Sequence, residues 1–388
     1  MDDGVDLGEQ MRDAGHDTSS ELALSKRRKL EEDAAGAGMT GGFRPFTPSD
    51  SASTSSSSST SSSSSSGSSN SSNSSSSSSS SSIGGRNARK GAVSLKYNDA
   101  GSLLAVACAD RRCLIVDPRT GNTLTTLEGE HALGLNDCAW LCDRFVATAS
   151  DDKTVRVWDV EAGKVVSTCH GHKSFVFCMN VHRDTRLIYT GGYDGSVRVF
   201  HAASSSCVMN FSAHAGAVVS LHLSPRQGLE FVTGSHDGVT RIWDAATPAC
   251  CKKSVFCDGM PGVSGVRYSP NGDYILVSTL DSQINLYPAY GTAPKLGAGA
   301  LKAYSGHVNA RFSLQSAFFT SPEGPSLVLQ GSEDGLVYIW DATKMTVAQT
   351  LQGHQDVPLT VACNPNESLQ QFASAGRDGQ VKLWQFSP

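Results

Sequence analysis

The stretch "ATASDDKTVRVWD", residues 147 to 159, sets two aspartates side by side, Asp151 and Asp152, in a turn that needs one. Its frame returns as "CADRRCLIVD" before it and "GYDGSVRVFH", "SHDGVTRIWD", "TLDSQINLYP", "SEDGLVYIWD" and "GRDGQVKLWQ" after it, seven copies in all. Each copy has an Asp six positions before an aromatic residue or a valine: Asp110/Val116, Asp152/Trp158, Asp194/Phe200, Asp237/Trp243, Asp281/Tyr287, Asp334/Trp340 and Asp378/Trp384. Asp152 keeps the register, so Asp151 is the extra acid. Val155 and Val157 alternate with Thr154 and Arg156, and a period of two marks a strand with one buried face. The links "DDK", "DGS", "DGV", "EDG" and "RDG" are tight turn formers suited to hairpins. Each copy reads as a small antiparallel sheet.

Successive aspartates lie 42, 42, 43, 44, 53 and 44 residues apart, the period of a four-stranded propeller blade. On these residues the chain resembles the WD-repeat family from 92 to 388. The resemblance implies an all-β fold, a seven-bladed WD-repeat β-propeller. The Gly-His that opens such repeats is found as "GHK" at His172, "GHV" at His307 and "GHQ" at His354, with "AHA" at His214 and "GEH" at His131. In the family a hydrogen-bond relay joins this histidine to the turn Asp of its blade, so the seven aspartates are expected to be structural. A buried His–Asp pair leaves no polar group unpaired. Function is expected elsewhere.

Residues 1–91 read as a disordered, Ser-rich tail and 92–388 as the propeller. The tract from Ser49 to Ser82 is almost unbroken serine and has no apolar surface to offset the entropy of ordering. A basic run, "SKRRKL" at Ser25 to Leu30, suits either a nuclear-import signal or a solvated charge cluster. A propeller closes when its N-terminal segment adds the outer strand of the last blade. The residues before blade one, "IGGRNARKGAVS", are poor strand formers. An imperfect outer edge on blade seven is expected, with at best a weak strand over residues 83 to 91.

A net charge of −5 from 37 acidic and 32 basic residues gives no general attraction to nucleic acid or an anionic membrane. No apolar run approaches the roughly 20 residues of a membrane span, and "MDDGVDLGEQMRDAG" is acidic where a secretory signal is basic and then apolar. An intracellular protein is expected. Eleven scattered cysteines without a CxxC pair read as reduced thiols, with no metal site and no cofactor. "GSHDG" puts Ser235, His236 and Asp237 in succession, but successive strand residues point to opposite faces and cannot form a catalytic relay. "KLGAGALKAYSG", residues 295 to 306, lacks the phosphate-loop pattern and reads as a loop between blades five and six. No enzymatic activity is expected.

Strand-joining turns of all blades gather round one mouth of the axial channel. The residue before each repeat Asp faces that mouth: Ala109, Asp151, Tyr193, His236, Leu280, Glu333 and Arg377. They vary while their neighbours repeat, as a binding surface on a fixed scaffold does.

"SDDKTVRVWD", "VFCMN" (176–180), "SPNGDYIL" (269–276), "STLDS" (278–282), "GSEDGLVYIWD" (331–341) and "LQGHQDV" (351–357) together resemble the WD-repeat core subunits of histone H3 lysine-4 methyltransferase (COMPASS/MLL-type) complexes. That resemblance implies a non-enzymatic scaffold. In the family an arginine from the histone H3 tail or from the catalytic subunit enters the channel mouth and stacks between aromatic rings. Carried over by position, Ala109 and Asp151 form the pocket's rim and Phe177 is one stacking ring. Ser264 and Ser313 are polar contacts, and Tyr193, His236 and Phe312 are wall positions. Asn136 replaces a small polar residue of blade two. Gln315 stands at the second ring position, which implies weaker binding unless Phe312 substitutes. A carboxylate and a flat ring suit a planar, weakly hydrated guanidinium.

On the opposite face Asn271, Tyr274, Leu286 and Gln349 match a groove for an acidic and apolar peptide of another subunit. A plainer reading has Asn271 making the "SPNGD" turn and Leu286 packing in the core. The implied partners are a SET-domain methyltransferase, other complex subunits and the histone H3 tail, with no direct nucleic acid and no membrane. The expected location is the nucleus, with the cytoplasm as a secondary one. The alternative is another WD-repeat adaptor, such as a ubiquitin-ligase substrate receptor or a ribonucleoprotein scaffold.

Overall fold

A computed structural model describes residues 42–46, 91–226, 228–247, 251–257, 259–290, 300–320 and 326–387. The serine tract, the basic run and residues 83–90 lie outside the described residues. Seven four-stranded antiparallel sheets follow one another along the chain. Blades one to seven cover 92–127, 135–169, 176–212, 218–256, 263–304, 316–351 and 358–387. In each, the chain runs from the innermost strand outwards through hairpins.

The landmark residue six beyond each Asp fills the space between blades. Trp158, Phe200 and Trp340 are almost fully buried, and Val116, Trp243, Tyr287 and Trp384 lie in the same core. Burying one large apolar side chain is worth about 1.5–3 kcal/mol. The alternation holds in blade two, where Val155 and Val157 are buried and Arg156 between them is only partly so.

The turn chemistry repeats as closely. The residue after each repeat Asp is left-handed, with φ of 76° at Arg111, 71° at Lys153, 69° at Gly195, 79° at Gly238, 65° at Ser282, 86° at Gly335 and 72° at Gly379. Four of these positions are Gly, which takes that conformation without strain. The Asp side chain supports the turn by accepting the N–H two residues on, as Asp152 Oδ1 does from Thr154 at 3.0 Å and Asp378 Oδ1 from Gln380 at 3.0 Å.

The expected relay forms in full in blades two, four and seven. His131 Nδ1 lies 2.7 Å from Asp152 Oδ2 and its Nε2 2.8 Å from Thr148 Oγ1, to which Trp158 Nε1 also donates at 2.8 Å. His214, Asp237, Thr233 and Trp243 repeat this, as do His354, Asp378, Ser374 and Trp384. Blade three has Phe200 in place of Trp and keeps His172 against Thr190 at 2.8 Å, with Asp194 at 3.5 Å. Burial opposes ionisation of Asp152 and Asp194, yet the His131 hydrogen bond to Asp152, the nearby His172 ring beside Asp194, and hydrogen bonds from Thr154 and Ser196 hold both carboxyls well below the usual range.

Blade six departs from expectation. The hydroxyl position is occupied by Gln330, and Asp334 Oδ2 accepts the Tyr338 hydroxyl at 2.9 Å instead of His307. His307 Nδ1 is left buried without a partner. Blades one and five have no relay histidine: Asp110 pairs with Arg112, and Asp281 accepts from Thr279.

Blade seven also corrects the reading of the sequence. Its outer edge is complete, and the strand that completes it is Gly42–Pro45, antiparallel to Val381–Ser387 with Phe43 opposite Phe386. These residues precede the serine tract and fall inside the stretch expected to be tail. Phe43 is buried, with its ring centroid 5.0, 4.9 and 5.1 Å from those of Phe319, Phe372 and Phe386. One well-placed aromatic side chain outweighs the poor strand propensity around it.

Candidate peptide-binding site at the channel mouth

The innermost strands carry a bulge at one repeated place. Register shifts single out Val93, Asn136, Phe177, Val219, Ser264 and Leu359 as extra residues opposite the second strand. A bulge turns its residue out of the ladder. The bulged residues and those before each repeat Asp therefore make the mouth together.

Blades two and three bring one carboxylate and three rings to this rim. Asp151 Oδ1 accepts from Asn136 Nδ2 at 2.7 Å, and that amide also donates to the Val176 carbonyl of the next blade at 3.0 Å. The other Asp151 oxygen takes no hydrogen bond among the described residues. Asp152 differs sharply, with both oxygens engaged by His131, Ala132 and Thr154. Phe177 is half-buried and meets Tyr193 edge-on, with centroids 5.8 Å apart at 89°. Tyr193 is 58% exposed. Phe175, missed in the sequence, completes the cluster at 6.3 Å from Phe177 and 6.1 Å from Tyr193. The available signal was a second aromatic residue two positions before Phe177 and close to the rim position of Tyr193.

Blades six and seven treat the same positions differently. Glu333 Oε1 accepts the backbone N–H of Ala310, Arg311 and Phe312 at 2.8, 2.6 and 3.1 Å. Burial opposes its ionisation, but these donors hold its carboxyl below the usual range. Phe312 does not offer an open face, because the Arg377 guanidinium lies 4.9 Å from its ring centroid. Gln315 is part-buried, and its backbone donates to Leu359 O at 3.3 Å. Ser264 is fully buried and accepts from Asn309 Nδ2 at 2.8 Å, so it acts behind the surface and not on it. Ala109, His236 and Ser313 are exposed.

A family model described as the WDR5 beta-propeller domain matches residues 85–385. The chain belongs to the WDR5 beta-propeller family. Among similar proteins, the COMPASS component SWD3 of Saccharomyces cerevisiae is 27% identical over 318 residues, which is 78% of this chain and 98% of that protein. Human DDB1- and CUL4-associated factor 10 is 34% identical over 140 residues, 35% of this chain and 25% of its own length. Human pre-mRNA-processing factor 17 is 26% identical over 240 residues, 61% of this chain and 40% of its own.

The four groove residues expected on the opposite face of this WDR5-type propeller each have contacts of their own within the fold. Asn271 Oδ1 accepts from Ser269 Oγ at 2.6 Å and from Asp273 N at 3.1 Å, fixing its own turn. Tyr274 is 39% exposed, while Leu286 is packed in the core with Leu276, Tyr304 and Trp340. Gln349 is taken by the chain itself: it accepts Phe43 N–H at 2.8 Å and donates to Phe43 O at 2.9 Å. A cavity of ≈ 530 Å³ on that face lies between blades two and three instead, lined by Leu141, Phe145, Val157, Val166 and Ala202.

Ser235, His236 and Asp237 form no catalytic relay. Ser235 is fully buried and its Oγ accepts from Asp237 N at 3.1 Å, while the Asp237 carboxylate pairs with His214. No disulfide joins any two of the ten described cysteines. No described helix is long and apolar enough to cross a membrane.

Proposed function

We propose that the chain is a non-enzymatic scaffold subunit of a nuclear histone H3 lysine-4 methyltransferase complex. Its channel mouth receives an arginine side chain from a peptide, either the histone H3 tail or a segment of a SET-domain subunit. The observation that carries this is the free oxygen of Asp151 beside the Phe175, Phe177 and Tyr193 rings. Guanidinium is planar and keeps its charge, so it gains from a carboxylate and a ring face together. Asn136 holds the carboxylate in place beforehand, which lowers the ordering cost on binding. The end-to-end similarity to a COMPASS component supports the assignment to such a complex.

Titration with an arginine peptide tests the site. Asp151→Ala should weaken binding by about 1.5–3 kcal/mol, roughly 10- to 100-fold, as expected for losing a charged hydrogen bond. Equal affinity of wild type and variant refutes the pocket. Affinity purification tests the complex: co-elution with a SET-domain protein is expected. A second reading, a ubiquitin-ligase adaptor, is favoured only by the 34% identity over 140 residues to a DDB1- and CUL4-associated factor, and co-elution with a cullin adaptor would establish it.

A further inference from the structure

The cavity between blades two and three marks a seam where two turns stand apart. Elsewhere the turn between a blade's first two strands carries a left-handed glycine: Gly101, Gly228 and Gly272 in blades one, four and five, with φ of 67°, 63° and 74°. Blade seven has Gln370 there. A Cβ on any of the three glycines would collide with the same turn of the preceding blade, at Asn364, His182 and Arg226 in that order. Close packing of one turn on the next therefore needs glycine.

Blade three breaks the pattern. Arg186 holds the left-handed place with φ of 55°, its N–H donating to His182 O at 3.0 Å and its carbonyl accepting from Ala202 N at 3.3 Å. A side chain in that conformation costs free energy that glycine does not. It fits because the facing turn of blade two leaves room, and that room is the ≈ 530 Å³ cavity. Arg186 lines it together with Leu141, Phe145, Val157 and Ala203.

The charge left over at this cavity is positive. Asp159 is already engaged: its Oδ2 accepts Arg144 Nε and Nη2 at 3.0 and 2.6 Å, and its Oδ1 accepts the N–H of Glu161 and Ala162, both at 3.1 Å. Arg144 is matched by the same contact. The exposed Arg186 guanidinium makes no hydrogen bond or ion pair with any described residue. Apolar surface also runs out of the cavity. Val166, the extra residue of a bulge in the outermost strand of blade two, is 56% exposed at the cavity's edge. A small acid confined to the cavity would leave Val166 in water, whereas an extended chain segment covers both.

We propose that this seam docks an extended segment of a protein partner, which inserts a large apolar side chain into the cavity and sets an aspartate or glutamate against Arg186. A strained arginine kept where three other blades have glycine is the mark of a binding place on a repeated scaffold. The site lies on the face opposite the arginine pocket and does not depend on it.

Fluorescence anisotropy of a labelled peptide, Gly-Glu-Leu-Glu-Phe-Gly, titrated with the full chain tests the proposal. Saturable binding is expected, and replacing the peptide's leucine and phenylalanine by serine should weaken it by about tenfold or more. Arg186→Gly should weaken it about three- to fivefold, the range for an exposed ion pair. Ala203→Glu, which puts a like charge at the exposed lip, should weaken it about tenfold or more. Arg183→Gln, at a neighbouring arginine already paired with Asp99, should stay within about twofold. Because glycine suits the left-handed place, Arg186→Gly should melt within about 2 °C of the wild type or above it. Absence of saturable peptide binding by the wild type, or equal affinity of Arg186→Gly and Ala203→Glu with it, overturns the site. Binding of octanoate that depends on Arg186, without binding of the peptide, also overturns it and assigns the cavity to small acids.

Discussion

Asp151 and Glu333 occupy the same place in their repeats, one residue before the turn Asp, yet one is open and the other closed. Asp151 is steadied by a single amide, and its other oxygen takes no hydrogen bond among the described residues. Glu333 is surrounded by three backbone N–H groups. The rings follow the same division: Phe175, Phe177 and Tyr193 face one another at the rim, whereas Phe312 lies under Arg377. The difference lies in the loop before the innermost strand of blade six, whose residues 310–312 turn three N–H groups towards Glu333. A rim carboxylate in a repeat protein is thus available only where no neighbouring loop bends over it. Gln349, held by the Phe43 backbone, extends the closed half to the seam of the ring.

Four experiments break or sharpen this contrast. The largest effect is expected at the seam: Phe43→Ala removes three ring contacts and should cost about 3–5 kcal/mol of stability by chemical denaturation. Unchanged stability would mean that blade seven does not need this strand. Next comes acid sensitivity of blade six. Burial lowers His307 from 6.5 to about 4, against the opposing charge of Asp281. Its folded-state pKa lies below the unfolded one, so stability is complete above pH 6.5 and falls as pH drops towards 4. The loss is about 3 kcal/mol in the limit. His307→Gln should flatten that part of the stability profile, and an unaltered slope would assign it to other groups.

Glu333→Ala should cost about 2 kcal/mol by leaving the loop donors without their acceptor. A drop in arginine-peptide affinity as large as that from Asp151→Ala would erase the distinction between the two acids. The smallest effect is expected from Arg377→Ala, about 0.5–1 kcal/mol of stability for an exposed cation–ring contact. Its value lies in the peptide titration. Tighter binding by the variant would show that Phe312 serves a guest once uncovered, while unchanged affinity leaves the open half as the whole pocket.

The sequence by itself determined the number of blades, the repeated turn in each and the choice of Asp152 over Asp151 as the structural acid. These depend on contacts within a few residues: an alternation of period two, an Asp accepting the N–H two positions on, and a left-handed residue after it. The rim places of Asp151 and Tyr193 were legible for the same reason, because each precedes a repeat Asp, whereas Phe177 was named through the family resemblance alone. Only the tertiary structure decided what covers what. Phe43 meets Gln349 across 306 residues of chain, Arg377 lies on a ring from another blade, and Leu286 packs with Leu276, Tyr304 and Trp340. Such pairings depend on which surfaces the closed ring brings together, and local hydrogen bonding and periodicity carry no record of that.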